Sequence, residues 1–251
     1  STNSYALAQL DEASDPRALD TKAYGTDQQT AGRGRANNTW QTPPRQALAL
    51  SVIIDTTEIA PEWRTSIVHM AGWAVHTHLS GLITSRPIAL GWPNDILLGG
   101  FPERAGWGSW RKVAGILCQL HPSNMMVVGV GINCLQRADQ LPVAHATSLH
   151  HAVGSEITPE MLAAPLTRMI CRRAHAWRDA GGDLSSFLPA LNARAAWRGE
   201  TVVAMSGTTR LGGHYLGIDK HGYALIETTE GTQRWHAGEV RHVRRGTPTP
   251  K

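Results

Sequence analysis

Lys112-Val113-Ala114-Gly115-Ile116-Leu117 and, a few residues on, Met125-Met126-Val127-Val128-Gly129-Val130-Gly131-Ile132-Asn133 are the segments on which the fold turns. Both are short, mostly apolar and partly β-branched, so Val113 to Leu120 and Met125 to Ile132 read as strands. Upstream, Ala47 to Ile54 is a continuous apolar run and reads as a buried strand, and Pro87 to Trp92 as another. Between them Ile67, Met70, Ala71, Ala74, Val75 and Leu79 fall at helical spacing over Thr65 to Leu79. Ser1-Thr2-Asn3-Ser4 offers N-caps for a short first helix before Tyr5, Leu7 and Leu10. Thr158-Pro159-Glu160 starts a helix that continues through Leu162, Leu166, Ile170 and Trp177, with Pro165 expected to bend it or delay its start. Ser185 to Trp197 is predicted as a further helix.

After Gly199 the texture changes. Thr201–Met205, His214–Ile218, Tyr223–Glu227, Thr232–His236 and Glu239–Val243 are short runs separated by glycine-bearing turns, which predicts a small β-barrel or sandwich. A boundary near Gly199 divides the chain into residues 1–198 and 199–251. The fold class is α+β. Two polar stretches stay outside the periodic segments: Gly25 to Asn38, and Gly99 to Trp110 with its glycines, Pro102 and two tryptophans.

The 251 residues suffice for a sizeable core, and a 41% hydrophobic and 18% charged composition excludes general disorder. The net charge of +4 suits an anionic substrate or an acidic partner. The densest basic stretches, Arg172-Arg173 and the tail from Arg241 to Arg245, are too sparse for a nucleic-acid footprint. No apolar run approaches the ~20 residues of a membrane helix. Cys118, Cys134 and Cys171 form no motif and read as buried thiols of a reducing, cytoplasmic compartment. The 12 histidines fall in no metal-ligand pattern, so no metal site is expected.

Four features carry chemistry. Gln29-Thr30-Ala31-Gly32-Arg33-Gly34-Arg35 combines glycines that expose N–H groups with two guanidinium forks suited to carboxylate or phosphate. Alone it could equally be a flexible basic loop. Trp40 follows, able to stack on a purine, though a tryptophan is more often a core anchor. Trp92-Pro93-Asn94-Asp95 leaves a strand and projects Asn94 and Asp95, or is a plain turn. Lys112 enters a strand two residues before Ala114-Gly115, where it could stabilise charge at a phosphate or be a solvated cation. Gly129-Val130-Gly131-Ile132-Asn133 permits close approach to the backbone, a weak signal by itself.

In this order the set resembles the biotin protein ligases. The catalytic domain of that family is matched over roughly Ser1 to Trp197, and its SH3-like barrel over Gly199 to Arg245. The resemblance implies a class II aminoacyl-tRNA synthetase-like domain, a mixed sheet flanked by helices, closed by the barrel. It implies that Ser1, Thr2, Asn3 and Gln29 face the biotin ureido ring. Gly32, Arg33, Gly34 and Arg35 belong to the loop over biotin and its adenylate, and Lys112 lies between the biotin carboxylate and the α-phosphate. Gly115 lies beside the carboxylate, Asn94 and Asp95 near ribose and phosphates, Trp40 near adenine, and Asn133 near the nucleotide. Lys112, Arg33 and Arg35 are the implied catalytic cations. The implied substrates are ATP and biotin, with Mg²⁺ held mainly by phosphate oxygens. The implied partner is a biotin carboxyl carrier domain, and the enzyme a monomer or homodimer without a DNA-binding domain.

Three departures stand out. Ala36-Asn37-Asn38 interrupts the basic loop after Arg35, Gly91 replaces a lysine that often precedes Trp-Pro-Asn-Asp, and the Gly99–Trp110 loop is longer than expected and reads as an insertion. A non-catalytic biotin- or nucleotide-binding module and a lipoate-type acyl ligase of the same fold are the alternatives.

Overall fold

The computed structural model describes residues 1–35 and 38–243. The Ala36-Asn37 part of the loop interruption and the Arg244-Arg245 end of the basic tail, with the residues after it, lie outside the described residues. Helix α1 (Thr2–Glu12) starts where the Ser1 hydroxyl accepts the Ser4 N–H. There follow β1 (Ala23–Thr26), β2 (Ala47–Asp55), α2 (Ile67–Leu82), β3 (Ile88–Gly91), β4 (Asp95–Leu98), β5 (Arg111–Leu120) and β6 (Met125–Asn133). Helices α3 (Leu149–Val153), α4 (Pro159–Asp179) and α5 (Leu188–Asn192) precede β7 (Thr201–Ser206), β8 (Thr209–Ile218), β9 (Ala224–Thr228), β10 (Gly231–Trp235) and β11 (Glu239–His242).

The large sheet runs β1-β2-β6-β5-β4-β3. It is sandwiched, which is why β2 reads as one unbroken apolar run. On one face Leu50, Val52 and Ile54 pack with Met70 and Val75 of α2 and with Leu166 and Ile170 of α4. On the other, Ile53, Met125 and Val127 meet Ala6 and Leu10 of α1. The sheet was expected to be mixed, but every ladder joining its strands is antiparallel. The connections explain this: β3–β4 and β5–β6 are joined by tight turns, which impose antiparallel pairing. Among the described residues, parallel pairing is confined to isolated bridges at Leu90↔Ala195 and Lys112↔Ala146.

Two helix expectations need correction. Pro165 does not delay α4, which starts at Pro159 and runs through it. The helix expected over Ser185 to Trp197 ends at Asn192 because other partners take its backbone. Arg194 O accepts from Leu90 N–H and Ala196 N–H donates to Leu90 O, which joins this segment to β3. Asn192 itself clips β8, accepting from Ile218 N–H at 2.8 Å and donating to Ile218 O at 3.2 Å.

The second sheet, β10-β9-β8-β7-β11, is antiparallel and open. Its buried Val202, Ala204, Tyr215, Ile226 and Val240 belong to the same apolar core as the large sheet's α2 and α4 face. Among the described residues no helix is long and apolar enough to cross a membrane.

Two predictions arise here. Gly81 is exposed inside α2, and a β-carbon there meets nothing within 4 Å. Gly81→Ala is therefore expected to stabilise the fold by about 0.5–1 kcal/mol, read as a rise in Tm. His69 is half-buried and donates through Nε2 to Gly222 O at 2.9 Å, a carbonyl that also accepts from Trp92 Nε1 at 2.9 Å. Burial pushes the His69 pKa down from 6.5 to about 4. Between those values the unfolded chain binds a proton that the folded chain refuses, so stability falls with pH in that window. The expected loss by pH 5 is about 2 kcal/mol. His69→Gln, which keeps a donor, should flatten part of the slope; an unchanged slope in pH-dependent denaturation would remove His69 as its source.

Candidate active site

Ser1, Thr2, Asn3, Gln29, Arg33, Gly34, Arg35, Trp40, Asn94, Asp95, Lys112, Gly115 and Asn133 line one cavity of about 380 Å³. Gly32 lies outside this lining and borders an adjacent groove instead. Its carbonyl accepts from Trp40 N–H at 3.0 Å and so holds the loop's shape.

The floor is built on a coincidence of register. Gly115 of β5 and Gly131 of β6 are directly paired, and the Trp40 ring lies on both. A β-carbon at Gly131 would collide with the indole, and one at Gly115 would stand 3.1 Å from Lys112 Nζ. Glycine is thus required by close approach. The Trp40 Nε1–H is buried and has no acceptor among the described residues. Lys112 Nζ lies 5.6 Å from the Trp40 ring centre and 2.6 Å from Asp95 Oδ1. The side chains of that ion pair are only 25% and 12% exposed, so the charges are held rather than solvated. Asp95 is placed by β4, whose first residue pairs with Gly115.

The loop from Gln29 folds back on itself through bridges Gln29↔Thr42 and Arg33↔Thr39. Arg35 Nη1 donates to Asn94 Oδ1 at 3.3 Å and to Gly238 O at 3.1 Å, which links the loop to the second sheet. Asn94 Nδ2 donates to Ile116 O at 2.6 Å, fixing the turn against β5. At the far end Thr2 N–H donates to Gln29 Oε1 at 3.0 Å, and Ser51 donates to Asn3 Oδ1 at 2.6 Å. Asn3 Nδ2 reaches Leu117 O and Gln119 Oε1. Asn133 Nδ2 donates to Thr147 O.

Several lining residues escaped the sequence reading: Trp107, His145, Glu239 and Arg241. The Gly129-Val130-Gly131 pattern, read as permitting close approach to the backbone, does place Gly131 under the Trp40 ring. The Gly99–Trp110 stretch, read as an insertion, is packed: Trp107 is buried and stacks on His145. Burial, then the cations Arg241 and Lys112, push the His145 pKa down to about 4. No group of three or more His, Cys, Asp or Glu able to hold a metal exists among the described residues.

A polar cavity walled by a glycine-arginine loop, with a held lysine–aspartate pair on a glycine floor, is suited to anionic ligands. The family model described as the biotin/lipoate A/B protein ligase family matches residues 11–133. The biotin–acetyl-CoA-carboxylase ligase of Mycobacterium tuberculosis is 30% identical over 247 residues, covering 97% of this chain and 86% of the relative. That of Paracoccus denitrificans is 30% identical over 230 residues, covering 85% and 87%. The solved biotin protein ligase from Aquifex aeolicus in complex with biotin and ATP superposes with a TM-score of 0.75 at 25% identity, covering 94% and 93%. The chain belongs to the biotin protein ligase family.

Proposed function

We propose that the chain activates biotin with ATP and transfers it to a lysine of a biotin carboxyl carrier domain. The observation that carries this is the convergence of Lys112, Arg33 and Arg35 on one cavity that also holds the polar Ser1–Asn3 end and Gln29. In the first step a biotin carboxylate oxygen attacks the α-phosphorus, the bond to the leaving pyrophosphate breaks, and biotinyl-5′-adenylate forms. In the second a neutral lysine amine attacks the acyl carbon, AMP leaves with the bonding pair, and the amine loses a proton. Bringing two anions together is the main obstacle, and fixed cations reduce it most where charge concentrates on five-coordinate phosphorus.

In this reading Ser1, Thr2, Asn3, Gln29 and Gly32–Arg35 surround biotin, with Gly115 beside its carboxylate. Lys112 spans carboxylate and α-phosphate. Trp40, Asn94, Asp95 and Asn133 serve the nucleotide. Mg²⁺ would arrive with the phosphates, neutralising them. The chain divides at residues 198 and 199 into a class II synthetase-like catalytic domain and an SH3-like barrel. It works in the cytoplasm as a monomer or homodimer, with no nucleic acid partner. Three free thiols support a reducing compartment.

Incubating the chain with ATP, labelled biotin and a purified carrier domain tests this. Label on the carrier's lysine is expected; none, with intact carrier, would refute it. Arg35→Gly removes the contacts to Asn94 and Gly238, so the adenylate is expected to escape and label bystander lysines. Labelling that stays confined to the carrier at full activity would contradict the loop's role.

A further inference from the structure

The Gly99–Trp110 insertion takes no part in the chemistry above, yet Trp107 is only 6% exposed and reaches the cavity wall. The His145 ring lies parallel to it, with centroids 4.3 Å apart and planes 10° from parallel. The Arg241 guanidinium carbon lies 4.0 Å from the same ring's centre. Trp107 thus packs its ring against both His145 and Arg241, two side chains of the chain itself. Its work is to hold its neighbours.

Those neighbours come from different parts of the fold. His145 O accepts from Lys112 N–H at 2.8 Å, so this stack is tied to the backbone that carries Lys112. Arg241 belongs to β11 of the second sheet, and the insertion grips that strand directly: His242 N–H donates to Gly106 O at 3.1 Å. Arg241 and its ion-pair partner Glu239 line the same cavity as Lys112. Arg241 is also the most shielded member of its pair, at 18% side-chain exposure against 46% for Glu239.

We propose that Trp107 is a positioning residue that holds Arg241 at the cavity's mouth as a further binding cation for the phosphates of ATP. The inference rests on the biotin ligase reading. The charges already described are partly spent: Lys112 on Asp95, and Arg35 on Asn94 and a carbonyl. A triphosphate carries more negative charge than these offset, and a planar guanidinium suits it. Phosphate oxygens would replace Glu239, whose half-exposed carboxylate returns to water at little cost.

The test is steady-state ATP–pyrophosphate exchange by Arg241→Met, Trp107→Ala, Trp107→Phe and the Trp107→Ala/Arg241→Met double variant. Arg241→Met and Trp107→Ala should each raise the KM for ATP about tenfold, with the biotin KM held within about twofold. Trp107→Phe, which keeps an aromatic ring against Arg241, should recover most of the loss. The double variant should be no worse than Arg241→Met alone, because Trp107 acts through Arg241. An unchanged ATP KM in Arg241→Met, multiplicative losses in the double variant, or equal rises in both KM values would each overturn the proposal. Should the wild-type chain show no biotin-dependent exchange, the ligase reading fails separately. Equilibrium dialysis of ATP·Mg²⁺ against the same variants then decides this inference, with equal binding by wild type and Arg241→Met overturning it.

Discussion

Replacing Lys112 by alanine is expected to lower biotin-dependent adenylate formation by about a thousandfold or more, while Tm stays close to wild type. Two effects act together. The cation proposed to span both reacting anions is lost, and Asp95, paired with Lys112 Nζ at 2.6 Å, is left as a carboxylate without its partner. Its side chain is only 12% exposed, so water screens that repulsion poorly. Lys112→Ala/Asp95→Asn should therefore recover part of the loss in ATP KM and little of the loss in kcat. Turnover within about threefold of wild type, with a normal melting curve, would remove Lys112 from the chemistry.

Gly131→Val is expected to cost about a hundredfold or more in kcat/KM without loss of stability. Valine favours strands, and β6 stays paired with β2 and β5 on both sides. What the side chain destroys is the floor: it would stand where the Trp40 indole lies across the Gly115–Gly131 pair. The ring would be driven into the volume available to ligand. Retained activity within a fewfold would show that the glycine floor is incidental to catalysis.

Much of the fold was legible because burial on both sheet faces leaves continuous apolar runs. Ala47–Ile54, Val113–Leu120 and Met125–Ile132 differ from β2, β5 and β6 by only a residue or two at the ends. The Ser1 cap and the Thr158-Pro159 start are local signals, and both helices begin there. The four-residue strands β1 and β4 were not foreseen, being too short to show a period, with Gly25 in one and the turn-favouring Asp95 opening the other. The break at Asn192 depends on Leu90 and Ile218, distant partners that no local pattern announces.

The candidate site follows the same division. The glycine-arginine loop, Asn94-Asp95 and Lys112 sit in dense local motifs, and the fold brings them to one cavity. Trp107, His145 and Arg241 are each unremarkable in sequence. Arg241 reaches the Trp107–His145 stack where the second sheet docks on the Gly99–Trp110 loop through Gly106 and His242.

The measurement that bears most directly on the function is ATP–pyrophosphate exchange by the purified chain with biotin, with lipoate, or with neither acid. The account predicts exchange that requires biotin and is absent with lipoate. Exchange supported by lipoate, or by neither acid despite bound ATP, would contradict it.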